Sequence, residues 1–158
     1  MNATDGLLLA TTDTAKELKT GIHMHVAEIA YENQFVTETQ KVDHGTVIHL
    51  EKIQFLHDNL LAAHTVWVNP AEGWCQSISL PCCCNENAWI FTYKRCLMLA
   101  SVSLGTDGAP SNNRMSRVDE MYLASLINKG REVHTNGTTD PTALPAETVL
   151  KLNGDFKL

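Results

Sequence analysis

The sequence IHMHVAE, at residues 22–28, alternates apolar side chains with histidines and ends in a carboxylate. Alternation with a period of two is typical of a β-strand, whose successive side chains point to opposite faces. His23 and His25 would therefore share one face, and Glu28 would follow the end of the strand. Imidazoles are common metal ligands and a nearby carboxylate can transfer protons, so the pattern indicates either a metal site or hydrogen-bonded core histidines.

Strand-like and helix-like segments alternate along the rest of the chain. Besides the strand that begins at Ile22, short apolar strands are predicted at residues 60–66 and 101–106. Helical spacing of apolar residues predicts helices at residues 5–19, 46–56, 116–131 and 145–152, with a polar connection after the first strand. Short apolar strands that alternate with helices predict an α/β protein with a parallel sheet.

Two further residues could carry chemistry in these strands. His64 lies in AAHTV, where a buried, hydrogen-bonded imidazole is the alternative to a functional role. Asp107 closes the third strand in SLGTDGAPSNN, and a turn or capping aspartate is the alternative there. Parallel α/β barrels keep their catalytic groups at such strand ends. Histidines and carboxylates together are what a hydrolytic metal site needs, because the metal lowers the pKa of bound water to about 7.

The composition excludes several classes of function. The 158 residues suffice for one domain with a hydrophobic core, and a net charge of −6 without a basic run argues against nucleic-acid or anionic-membrane binding. No apolar stretch approaches the roughly 20 residues that span a bilayer, and the first residues do not resemble a secretory signal. We therefore expect a cytoplasmic protein, in which five cysteines do not form a disulfide framework.

Four segments carry a resemblance to a known family: HMHVAE, NLLAAHTVWVN, SLGTDGAPSNN and DEMYLASLINKGRE. They resemble the amidohydrolase superfamily, in the branch of S-adenosylhomocysteine/methylthioadenosine deaminases and related chlorohydrolases. The resemblance implies a metal-dependent (β/α)8 barrel of the TIM type. It also implies a small-molecule substrate, since the family hydrolytically removes ammonia from purine nucleosides or related heterocycles.

The resemblance also implies a role for each matching residue. His25 corresponds to the metal-binding histidine of the fifth barrel strand, and Glu28 to the carboxylate that contacts and protonates the heterocycle. His64 corresponds to the sixth-strand histidine that orients the water or the reacting centre. Asp107 corresponds to the eighth-strand aspartate, which is both metal ligand and general base. His23 has no role in the family, and the implied metal is Zn²⁺, with Fe²⁺ as the alternative.

The chain departs from the family in its extent. It resembles only the fifth to eighth strand-helix units, so residues 1–158 are expected to form an incomplete catalytic domain. The family's first strand carries two further metal-binding histidines, and without them His25 and Asp107 would bind metal weakly. The alternative to a deaminase is therefore a catalytically inactive fragment or pseudo-enzyme, which associates with an intact family member.

A second departure is the stretch GWCQSISLPCCCNENAWIF at residues 73–91, which holds four of the five cysteines. The family would have its seventh strand here. Permitted codons for residues 74–90, read from the second base, encode GVKVSHCPAAAMRMLG, which is close to that strand. We interpret residues 74–100 as a frame-shifted segment that disrupts the seventh unit. A cysteine-based metal module is the weaker alternative, because zinc sites usually space their ligands as Cys-x2-4-Cys.

Overall fold

The computed structural model describes residues 3–43, 45–67, 80–83, 102–137 and 139–154. These ranges form four β-strands and five α-helices in an α/β arrangement. In chain order the elements are α1 Asp5–Leu18, β1 Ile22–Val26, α2 Ala30–Gln40, α3 Thr46–Lys52, β2 Leu60–His64, β3 Leu80–Cys83, β4 Val102–Gly105, α4 Arg117–Asn136 and α5 Ala146–Gly154.

The strands pair in parallel, as the alternation of elements predicts. β1 pairs with β2, so that Ile22 lies beside Leu60 and Val26 beside His64. β3 pairs with β4 in the same sense, and β2 lies against β3. The carboxyl ends of β1 and β2 therefore lie at one edge, where the candidate residues of the two strands follow.

Helices cover one face of the first strand pair. Ile22 and Val26 of β1 and Leu60 of β2 are buried on this face. They form one apolar cluster with side chains from α1, α3 and the turn after α3, namely Leu8, Ala15, Val47, Leu50 and Phe55. Burial of apolar area is the main stabilising contribution to folding, so this cluster holds the two strands against their helices.

The sequence predicts a polar connection after β1. This prediction is wrong for Ala30–Gln40, which form helix α2. Two properties of α2 explain the error. Only Val36 of this helix is buried, so the sequence shows no apolar stripe at helical spacing. The N-cap residue is Ile29, which provides no side-chain hydrogen bond to the first turn.

Helix α3 is shorter than the predicted segment at residues 46–56. It ends at Lys52, and Gln54 has a φ of 59°, a left-handed conformation that stops a helix. The backbone N–H of Phe55 donates to the carbonyl of Leu50 at 2.9 Å, which closes the turn. The Phe55 side chain is thereby directed into the apolar cluster, where it is fully buried.

Strand β3 lies within residues 74–100, the segment that we interpret as frame-shifted. Apart from Leu80–Cys83, this segment is outside the described residues, and so is Cys84. The described part forms a strand between β2 and β4, whatever its origin in the nucleotide sequence. The frame-shift interpretation and the cysteine-based alternative stay predictions.

The loop between β4 and α4 is organised by Asn112. Its backbone N–H donates to the carbonyl of Gly108 at 2.9 Å, and its Oδ1 accepts the N–H groups of Arg114 and Met115 at 3.1 and 3.2 Å. Its side-chain amide donates to Oε1 of Glu120 on α4. Glu120 is buried, and desolvation raises the pKa of its carboxyl above the ordinary value.

We expect Glu120→Gln to flatten the pH dependence of stability. Because the folded chain holds the Glu120 proton to a higher pH than the unfolded chain does, the contribution of this group is greatest at low pH. It is lost as the pH rises from the ordinary glutamate pKa, about 4.5, through the raised pKa of the folded chain. Urea unfolding at a series of pH values should show a smaller decline of the free energy of unfolding in the variant. Glu17→Gln, at an exposed position, is the control, and a decline equal to that of the unmodified chain would contradict the expectation.

Candidate active site

The uncovered face of β1 carries the two histidines of the HMH sequence. Ile22 and Val26 are buried toward the helices, whereas His23 and His25 are exposed. Their ring centroids are 6.3 Å apart, as expected for side chains two positions apart on one strand. The predicted shared face of His23 and His25 is confirmed. The alternative of hydrogen-bonded core histidines is wrong for this pair, because neither is buried.

His64 brings the end of β2 to the same place. Strict alternation would direct its side chain to the helix-covered face, together with Leu60 and Ala62. Its φ of 68° breaks this alternation, and its ring stacks on that of His25 with centroids 4.8 Å apart and planes 25° apart. The two histidines are therefore neighbours although the sequence separates them by 39 positions.

Left-handed backbone conformations occur where three of the strands end. Ala27, directly after β1, has a φ of 50°, and Thr65, after β2, has a φ of 47°. Asp107, after β4, has a φ of 58°. None of these residues is glycine, so each such conformation costs on the order of 1 to 3 kcal/mol, and such residues concentrate at functional sites. The strand ends that carry the candidate residues are thus also where the backbone is strained.

Glu28 lies opposite His64. One of its carboxylate oxygens, Oε1, is 3.7 Å from Nε2 of His64, which is within ion-pair range. The side chain of Glu28 is 43% exposed and that of His64 only 1%. Glu28 therefore faces both a buried imidazole and solvent, a position from which a carboxylate can move a proton into the site.

The imidazole of His64 is buried without hydrogen bonds to the part of the chain that the structure describes. Neither Nδ1 nor Nε2 has a hydrogen-bond partner there, so the alternative of a satisfied core histidine finds no support among these residues. Burial lowers the pKa of His64, and the nearby His25 lowers it further, while the carboxylates of Glu28 and Asp107 act in the opposite direction. The imidazole is consequently neutral at pH 7 and has one donor and one acceptor for a ligand.

Asp107 follows β4 and is half-buried. Its Oδ1 accepts the backbone N–H of Gly108 at 2.6 Å, so the side chain does form part of a turn. Its negative charge also acts to raise the pKa of His64, against the larger effect of burial. Only Oδ1 of Asp107 is used in the turn bond to Gly108, so a turn role does not exclude the candidate catalytic role.

The sequence interpretation missed two residues that organise these strand ends. Glu32 accepts the backbone N–H groups of Ala27 and Glu28, each at 3.0 Å. Asn33 donates its side-chain amide to the carbonyl of Trp67 after β2. The sequence shows these residues only as two adjacent polar positions, four and five residues after Glu28. They lie in the first turn of α2, the helix that was not predicted.

The donor types suit a metal ion, but the described residues do not complete a metal site. Neutral imidazole and carboxylate are the ligands that Zn²⁺ prefers besides thiolate, which fits the prediction of His25 and Asp107. Within residues 3–43, 45–67, 80–83, 102–137 and 139–154, however, no three His, Cys, Asp or Glu side chains are arranged to hold one metal ion.

The described helices include none that is long and apolar enough to cross a membrane.

Comparison with known proteins gives a consistent result. The model of the amidohydrolase family matches residues 1–151. The 5-methylthioadenosine/S-adenosylhomocysteine deaminase 1 of Archaeoglobus fulgidus is 34% identical over an alignment of 166 residues, gaps included. The alignment covers 95% of this chain and 36% of that protein. The 5'-deoxyadenosine deaminase of Methanosarcina mazei is 30% identical over 161 residues, which cover 94% of this chain and 34% of that protein. The chain thus spans about a third of the length of these relatives.

Solved structures agree on the fold. The guanine deaminase from C. acetobutylicum, with guanine bound in its active site, superimposes with a TM-score of 0.80 at 15% identity. This match covers 96% of this chain and 38% of that one. An adenosine deaminase from Xanthomonas campestris with bound Zn gives 0.78 at 22% identity, covering 95% and 34%. The predicted resemblance is confirmed by the family match over residues 1–151 and the 34% identity to a deaminase, and the chain belongs to the amidohydrolase family.

Proposed function

We propose that the chain forms part of a metal-dependent hydrolase that removes ammonia from purine nucleosides or related heterocycles. The observation that carries the proposal is the stacking of His64 on His25, with Glu28 3.7 Å from His64, at the carboxyl ends of two paired parallel strands. These are the positions that barrel enzymes use for chemistry. The substrate class is supported by the names of relatives, among them 5'-deoxyadenosine deaminase and guanine deaminase.

The four strands have a natural assignment within such a barrel. We infer that β1 and β2 correspond to the fifth and sixth strands, β3 to the seventh and β4 to the eighth. The parallel pairing of β1 with β2 and of β3 with β4, together with the contact of β2 with β3, supports this order. In this assignment residues 1–158 supply one side of the catalytic site.

Each candidate residue has a task in the proposed reaction, in which water and an amino-heterocycle give an oxo-heterocycle and ammonia. The metal, most simply Zn²⁺, would be held in part by His25 and Asp107 and would make water more acidic. The carboxylate of Asp107 would accept a proton from the water that adds to the ring carbon and would give it to the amino group that leaves as ammonia. Glu28 gives a proton to a ring nitrogen of the heterocycle, and its exposed carboxylate can regain one from solvent. The neutral imidazole of His64 orients the reacting groups by hydrogen bonding.

A second candidate function is an inactive pseudo-enzyme that associates with an intact family member. Two observations favour it. The described residues hold no complete set of three metal ligands, and the histidine-bearing face of β1 is exposed. In a barrel the inward face of a strand packs against the side chains of other strands, so this face would suit a partner of the same fold.

We expect Asp107→Asn to abolish ammonia release. The chain would be incubated with Zn²⁺ and S-adenosylhomocysteine, methylthioadenosine, adenosine or guanine while ammonia is measured. The amide cannot accept the proton, so the rate should fall by about 10² to 10⁴-fold. Asp13→Asn, at an exposed position of α1, is the control and should leave the rate unchanged. Equal rates for the two variants, or no ammonia from the unmodified chain, would contradict the deaminase proposal.

Metal binding should depend on His25 but not on His23. Calorimetric titration with Zn²⁺ should show weak binding, and His25→Ala should reduce the affinity by at least about tenfold, the lower bound for disturbing a metal site. His23→Ala is a matched control, because it removes an exposed imidazole from the same strand face, 6.3 Å away. Equal losses in both variants would indicate nonspecific binding by surface histidines and would count against the site.

The pseudo-enzyme alternative predicts a stable complex. A tagged chain would be mixed with the intact deaminase of Archaeoglobus fulgidus and analysed by size-exclusion chromatography. Co-elution that is lost when His23 and His25 are both replaced by glutamate would support association through the β1 face, since buried carboxylates without partners are costly. Separate elution of the two proteins at micromolar concentration would exclude this alternative for that partner.

A further inference from the structure

Glu32 uses both oxygens of its carboxylate to hold the chain segment after β1. Oε1 accepts the backbone N–H of Ala27, and Oε2 accepts that of Glu28, both at 3.0 Å. Hydrogen bonds to an ionised acceptor are about twice as strong as those between neutral groups. The two consecutive peptide groups are therefore fixed in direction by one side chain of a neighbouring helix.

These bonds differ from those of an ordinary helix cap. Helix α2 begins at Ala30 with Ile29 as its N-cap, so Glu32 occupies the third helical position. In a capping box a glutamate at this position bonds the N–H of the N-cap residue itself. Here the carboxylate reaches one and two residues further back, to Glu28 and Ala27. Its partners belong to the strand end rather than to the helix.

The segment that Glu32 holds needs such support. Ala27 is fully buried and has a φ of 50°, which an alanine rarely adopts. Its carbonyl accepts the N–H groups of Val66 and Trp67, which follow β2, at 3.1 and 2.9 Å. Because its N–H also donates to Glu32, both the N–H and the carbonyl of Ala27 are held by hydrogen bonds. The residue after it, Glu28, then leaves the strand in a defined direction.

Asn33 extends the same arrangement to β2 and α3. Its side-chain amide donates to the carbonyl of Trp67, and its Oδ1 accepts both the N–H and the hydroxyl of Thr46, at 3.0 and 2.7 Å. Glu32 thus fixes the chain after β1, and Asn33 fixes the chain after β2. Both residues lie in one turn of α2, so the two strand ends are held relative to one another by a single rigid element.

We propose that Glu32 is a positioning residue, which holds the backbone of Ala27 and Glu28 so that the Glu28 carboxylate faces His64. The part of this inference that concerns catalysis rests on the proposed deaminase function, in which Glu28 delivers a proton to the substrate. Glu32 itself contacts no reacting group in this scheme. Its effect on the reaction is transmitted through the direction of Glu28.

The test that needs no enzyme activity is the proximity of Glu28 and His64 in solution. Nuclear Overhauser effects between the Glu28 side chain and the His64 ring would be recorded for the unmodified chain and for Glu32→Gln. An amide offers one acceptor instead of two, so we expect this signal to be lost in Glu32→Gln while the effects between the His25 and His64 rings persist. Persistence of the Glu28–His64 signal would overturn the proposal.

Two further variants make the result unambiguous. Glu38→Gln alters an exposed carboxylate of the same helix, whose hydrogen bond is to the Gln34 side chain, and should leave the signal unchanged. If Glu32→Gln does not fold, Glu32→Asp keeps the charge but shortens the reach, and the Glu28–His64 signal should weaken. The opposite outcome is a folded Glu32→Asp chain with an undiminished Glu28–His64 signal and with the amides of Ala27 and Glu28 protected from exchange. That result would contradict the proposal that the length of the Glu32 side chain matters.

Kinetics distinguish positioning from a general structural role. We expect Glu32→Gln to lower kcat by about tenfold with little change in KM, since small misplacement of a reacting group has effects of this size. In a Glu28→Gln background the same change should have almost no further effect, because its target is already gone. Equal effects in both backgrounds would indicate a structural role only. If no variant releases ammonia, the proposed deaminase function is contradicted, whereas the nuclear Overhauser measurement still decides the positioning proposal.

Discussion

The register between β1 and β2 is the constraint on which the candidate active site depends. Val26 lies beside His64, so the two strands end at the same level. A slip by one residue would exchange the faces of all side chains on one strand. A slip by two would displace His64 by about 6.6 Å along the strand, beyond stacking distance of His25. The apolar cluster around Leu50 and the hydrogen bond from the Thr65 N–H to the Val26 carbonyl, at 2.8 Å, hold this register.

The fold places the apolar core and the candidate site residues on opposite faces of the strand pair, and the strand ends connect the two faces. The helix-covered face is apolar and buried, whereas the opposite face carries His25 in an exposed position. His64 reaches that face only through a left-handed backbone, and Ala27 adopts a similar conformation at the neighbouring strand end. Strain of a few kcal/mol is large against a typical total stability of about 5 to 15 kcal/mol. Such strain persists where surrounding hydrogen bonds determine the conformation, as the bond from the Ala27 N–H to Glu32 does.

Much of the fold and a set of candidate site residues could be predicted from the sequence, but the arrangement around these residues could not. The period-two pattern of β1 and the apolar runs of the other strands are local signals, and they predicted parallel strands that the structure contains. Helix α2 was missed because it buries little apolar surface. The roles of Glu32 and the ring contact of His64 depend on tertiary packing and left-handed backbone conformations, which residue type alone does not signal. The family resemblance supplied the candidate residues, and the structure shows what orients them.

Burial divides the work between the histidine and the carboxylates of the site. His64 is almost fully buried, and desolvation outweighs the attraction of Glu28 and Asp107, so its pKa lies below the ordinary value and the imidazole is neutral. An imidazolium at this position would repel a bound cation, whereas a neutral ring can orient groups on either side of it. Glu28, by contrast, is 43% exposed at its side chain and can exchange protons with solvent. In the proposed reaction, proton transfer would therefore belong to the partly solvated carboxylates, and His64 would serve as an uncharged partner that orients the reacting groups.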